Sequence, residues 1–83
     1  MARIPHELSE EFPEEAKFIT KWTETDLEFG RLATRYDEVN REIHRIESEE
    51  RLAPDEPLEE LKKLRLLLKD EIASLISRIE HRM

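Results

Sequence analysis

Residues 58–82, LEELKKLRLLLKDEIASLISRIEHR, decide the fold. Leu58, Ile72 and Ile79 share one heptad position and Leu61, Leu68 and Leu75 share another, the three-and-four spacing that draws one apolar seam along an α-helix. Such a seam has to be buried against a partner element. Arg65 stands at a seam position that otherwise takes Leu or Ile. Its methylene stem can pack while the guanidinium reaches an acid on another helix, Glu42 or Glu47 being the expected ones, so Arg65 is read as fixing register rather than binding a ligand. Leu64, Leu66, Leu67 and Ile76 fall outside the seam and make this helix apolar over more surface than one partner helix can cover.

The partner lies upstream. Trp22, Phe29, Tyr36 and Ile43 occupy one heptad position and Phe18, Leu32, Val39 and Ile46 the other, interrupted only by Thr25. This predicts a first helix over residues 13–50, opened by Pro13 with Glu14 and Glu15 in its first turn. A kink or break near residues 23–26 is a second reading, since Thr25 and Glu28 have capping-box spacing and Asp26 can open a new helix. Gly30 lies one step off the seam, either as a tolerated weak point or because a neighbour comes close.

Between the helices, RLAPDEP at residues 51–57 reads as a turn: Pro54 discourages helix at Ala53, and Asp55 or Glu56 can cap a helix started by Pro57. A connection this short makes the helices antiparallel neighbours, over 13–50 and 58–81. Folding about it sets Ile46 against Leu61, Val39 against Leu68, Tyr36 against Ile72, Leu32 against Leu75 and Phe29 against Ile79. The expected fold is therefore all-α, an antiparallel two-helix hairpin with coiled-coil character, formed by one domain over residues 1–83. A first helix of about 37 residues would run about 55 Å and a second of about 25 residues about 37 Å, so Phe18 and Trp22 would overhang. Either the N-terminal segment 1–12 folds back with Ile4, Leu8 and Phe12 to cover them, or a second chain does. A lone hairpin rarely buries enough to be stable, which favours a homo-oligomer, a dimer of hairpins first, in a helical bundle.

The chain has 83 residues, 42% of them charged and 37% hydrophobic, with no Cys, four Pro and one Gly. That composition suits elongated helices, and the lack of Cys removes disulfides and thiolate chemistry. No segment approaches the roughly 20 apolar residues of a membrane span, and the N-terminus lacks a signal-peptide core, so the expectation is a cytoplasmic protein with no membrane contact. The net charge of −7 is concentrated at the N-terminal end, where residues 7–28 hold eight acids against Lys17 and Lys21. Such a field repels nucleic-acid backbones and makes that partner class unfavourable. It leaves a protein partner at an aromatic, acid-rimmed end built from Phe12, Phe18, Trp22, Glu11 and Glu14.

Enzyme chemistry finds little support in these residues. The positions three before His6, His44 and His81 are Arg3, Arg41 and Arg78, where a di-iron bundle needs Glu. The Asp37-Glu38 and Asp70-Glu71 pairs diverge on a helix, so they read as solvated face rather than as acid and base. No catalytic residue, metal or cofactor is expected. The reading is a small interaction or adaptor module, with a nucleic-acid-associated regulator using Arg31, Arg35, Arg41 and Arg45 as the alternative.

His6 with Glu11-Phe12-Pro13-Glu14, the run DLEFGRLATRYDEVNREIHRIE, and Leu68-Lys69-Asp70-Glu71-Ile72 stand in an order and spacing that resembles the YdcH-like family of small bacterial proteins of unknown function. The resemblance spans His6 to about Ile76. It implies a cytoplasmic helical hairpin with coiled-coil character and brings no catalytic residues.

Overall fold

In a computed structural model of the protein, which describes residues 6–48 and 55–82, the chain forms α1 (Leu8–Glu11), α2 (Ala16–Thr25), α3 (Leu27–Ser48) and α4 (Asp55–His81). The fold is all-α. The two long helices, α3 and α4, pack along their seams, and polar pairs on their rims record the direction. Glu47 meets Lys62 at 3.2 Å, Asn40 meets Arg65 at 3.0 Å and Glu28 meets Arg78 at 3.4 Å, so residues rising along α3 face residues falling along α4. These pairs flank the expected Ile46/Leu61, Val39/Leu68 and Phe29/Ile79 steps. Phe29, Tyr36, Val39, Ile43, Leu68, Ile72, Leu75 and Ile79 are buried. Leu32 and Leu61 pack half-buried against them, and Ile46 is half-buried near the end of α3.

α4 begins at Asp55 and holds Pro57 inside its first turn, where no intrahelical N–H bond is lost. The other part of the expected turn at residues 51–57, and the expected end of the first helix at residue 50, lie outside the described residues.

The first helix does not run straight from residue 13. Phe12–Glu15 is a turn, closed by the Glu15 N–H on the Phe12 carbonyl at 3.1 Å, and Pro13 takes the second position of it, where its fixed φ fits. α2 therefore starts at Ala16 and stops at Thr25. Asp26 is extended, with φ −119° and ψ 114°. Its Oδ1 accepts from the Phe29 N–H at 3.0 Å, capping α3, while the Thr25 hydroxyl turns back to donate to the Lys21 carbonyl at 2.8 Å. The cap is thus Asp26 and not the Thr25/Glu28 box.

Past this break α2 folds back onto α3. The molecule measures 48 × 27 × 19 Å, shorter than the roughly 55 Å that a straight helix over 13–50 would need. Gly30 shows why the crossing is close: a Cβ there would stand 2.8 Å from the Thr23 carbonyl oxygen, a backbone atom that cannot swing aside. Of the two readings of this glycine, close approach is the one the packing requires.

Candidate functional site

The aromatic end expected to overhang is closed. Trp22 is only 6% exposed, its ring edge-on to Phe29 at 5.7 Å between centroids, because the turn at Asp26 lays α2 against the hairpin. Trp22 is core and not an exposed anchor. Phe18 is 37% exposed, stacked on Trp22 at 5.5 Å with the Lys17 ammonium 5.2 Å from its ring centre. Phe12 and Leu8 pack half-buried against the core, while Glu14 is exposed. Ile4 lies outside the described residues.

Glu11 lies 3.3 Å from His6 Nδ1 and 3.7 Å from the Lys69 ammonium on α4. Beside it, the Tyr36 hydroxyl donates to the His6 carbonyl at 2.6 Å. His6 has φ 63°, the left-handed region that few residues other than Gly adopt, so a buried side-chain donor holds a strained backbone turn in place. Burial first, then the nearby Glu11 carboxylate, pushes the Tyr36 phenol up to about 12, with Arg65 acting in the opposite direction. No periodicity signals this bond, since it joins residues thirty apart through a hydroxyl on a seam residue.

Arg65 fulfils half of its expectation. It spans the two seams, but its Nη1 donates to the Asn40 side-chain carbonyl rather than to Glu42 or Glu47. Asn40 is 2% exposed and lies one step off Val39, a neutral partner that lets the guanidinium cross without burying a second charge. The two acids have other partners: Glu42 holds Arg45, whose hydrogen bond keeps its carboxyl below the usual range, and Glu47 holds Lys62. Arg41 pairs with Asp37 at 2.9 Å. Two of the four arginines expected to form a nucleic-acid stripe are therefore neutralised by neighbours on α3, leaving Arg31 and Arg35 exposed along its first half.

Outside the core, apolar surface beyond the seam remains on α4, as its leucines led one to expect, but from only part of the expected set. Ile76 is buried and Leu64 half-buried, but Leu66 is 59% and Leu67 54% exposed on α4, and Leu27 is 74% exposed beside the Asp26 break. Periodicity had already set Leu66 and Leu67 outside the seam. Among the described residues no group of three or more His, Asp or Glu side chains converges where a metal ion could be held, and no helix is long and apolar enough to cross a membrane.

These features define a class: a small all-α protein built on an antiparallel hairpin, with a folded-back N-terminal arm. The chain belongs to DUF465, a family of proteins of unknown function that includes the YdcH-like small proteins; the family profile matches residues 29–76. That range begins three residues after Asp26 and contains most of α3 and most of α4, so it is narrower than the resemblance from His6 to Ile76. No curated protein and no solved structure matches the chain.

Proposed function

We propose that this is a non-catalytic, cytoplasmic interaction module that receives an amphipathic helix of another protein along the outward face of α4. The observation that carries the reading is the pair Leu66 and Leu67, left more than half exposed on a helix whose opposite side is closed against α3. Two adjacent leucines on a long, rigid helix offer anchors at little ordering cost, and the charged residues around them, Lys62, Lys63, Asp70 and Glu71, form a polar rim. The acid-rich N-terminal end and the ion pairs on Arg41 and Arg45 weigh against the nucleic-acid reading.

The test is the double variant Leu66→Lys with Leu67→Lys. Both side chains are outside the core, so the melting temperature should stay within a degree or two of wild type. A protein that co-purifies in near-stoichiometric amount with the wild type should be lost from the variant. Undiminished recovery of that protein, or retention on DNA or RNA that falls steeply with salt, would overturn the α4 reading.

A further inference from the structure

We infer that the N-terminal arm, residues 6–25, exchanges between two copies of the chain: Asp26 is a hinge that straightens, α2 and α3 become one helix, and each arm closes on the other copy's hairpin. Three observations meet here. A single non-helical residue joins α2 to α3, so opening alters the backbone at one position. The heptad runs through that position without a shift, Phe18 and Trp22 on one side and Phe29 and Leu32 on the other, so the straightened helix carries the seam onward. The closed crossing is tight, with the Gly30 Cα facing the Thr23 carbonyl.

Opening uncovers Trp22 and Phe29, which a chain alone would leave in water. A second copy's arm offers the same surfaces that the first has lost. The Trp22–Phe29 ring contact, the Tyr36–His6 hydrogen bond and the Lys69–Glu11 ion pair can all re-form between chains, so the exchanged dimer differs from two closed monomers chiefly at the hinge. A short hinge held by a close crossing is the condition under which such exchange is favoured. The surface involved is not the outer face of α4, and the inference does not rest on that reading.

The hinge supplies one discriminating substitution, Leu27→Pro. Leu27 is the first residue of α3, a position that accepts Pro, and the extended Asp26 before it has a conformation close to the one Pro prefers in its predecessor. In a straight helix that proline would remove the bond to the Thr23 carbonyl and clash with it.

Light scattering on the full chain over a range of concentrations reads the outcome. The wild-type chain should dimerise at the upper concentrations. Leu27→Pro should lower the dimer association constant by about a hundredfold or more. Leu66→Lys with Leu67→Lys instead should leave the dimer intact. In a dimer mixed from isotope-labelled and unlabelled copies, filtered NMR contacts between the Trp22 and Phe29 rings should arise between chains. A wild-type chain that stays monomeric, a dimer indifferent to Leu27→Pro, or Trp22–Phe29 contacts wholly within one chain would each overturn the exchange.

Discussion

The α3–α4 hairpin and the N-terminal arm reach burial by different means. The hairpin is held by repetition: one apolar residue every three or four positions, closed along two helices, with the ion pairs of the described residues at its rims. The arm is held by single devices, each used once. Asp26 ends one helix and caps the next, Gly30 clears the crossing, Trp22 fills the space over Phe29, and the Tyr36 hydroxyl ties down the His6 turn. A repeating seam spreads its stability over many residues, whereas the arm concentrates it in a few. Substitutions should therefore separate the two regions, except where they share a residue.

Phe29 is the shared one. It is fully buried, belongs to the hairpin seam and carries the Trp22 ring. Phe29→Ala should cost about 3–5 kcal/mol, the largest effect expected from a single truncation here, and should take arm and hairpin out together. Urea unfolding followed by circular dichroism and by Trp22 fluorescence should show the two probes moving in one transition at lower denaturant. Two separated transitions would mean that the arm folds on the hairpin without depending on it.

Repetition also explains which parts were legible in the sequence. The helical fold and the register of α3 on α4 follow from heptad spacing alone, and the Asn40–Arg65 and Glu28–Arg78 pairs fall beside the steps it predicts. The break at Asp26 was visible only as a second reading, because the same heptad runs through it and periodicity carries no sign of where a helix doubles back. Gly30 offered the clue, a costly residue in a helix, but its reason lies in a carbonyl seven residues earlier that only the folded chain brings near. Once the arm closes, Trp22 is covered, and the exposed apolar surface among the described residues is Phe18 with Leu66, Leu67 and Leu27. Arg65 was recognised as a register residue; its neutral partner Asn40 was not, since an amide one step off a seam looks like solvated surface until the helices are packed.

A smaller and more local change distinguishes the arm's polar tie from the hairpin. Tyr36→Phe keeps the ring in the seam and removes the hydroxyl bonded to the His6 carbonyl, a loss of about 0.5–1.5 kcal/mol. The burial of the same phenol has a pH signature of its own. Because the folded phenol is pushed up to about 12, the folded chain holds a proton that the unfolded chain releases near pH 10. Its contribution is complete below about pH 10 and is lost as pH rises toward about 12. Wild type should lose melting temperature over that window more steeply than Tyr36→Phe, and the absorbance titration of the phenolate should rise late in the folded wild type. Equal alkaline slopes in the two proteins would mean that the phenol is not held buried beside the Glu11 carboxylate.

The weakest expected effect lies where the arm meets the far end of α4. Glu15 is pushed above the ordinary carboxylate value, first by desolvation and then by the like charges of Glu80 and Glu14. Glu80 is on α4, so this repulsion exists only while α2 lies folded back, and it acts against closure of the arm and not against the hairpin. A carboxyl whose folded value is raised favours the folded state at low pH and loses that contribution as pH rises through the window between the unfolded and folded values. At neutral pH the charge is therefore a small burden. Glu15→Gln should raise the melting temperature slightly in dilute buffer, the gain should shrink as salt screens the three carboxylates, and the two proteins should converge once acid has protonated Glu15. Exchange of arm amides should slow in the variant with α3 amides unchanged. If instead the protection of α3 and α4 rises equally, arm and hairpin open as one unit and the division between them exists in their packing but not in their stability.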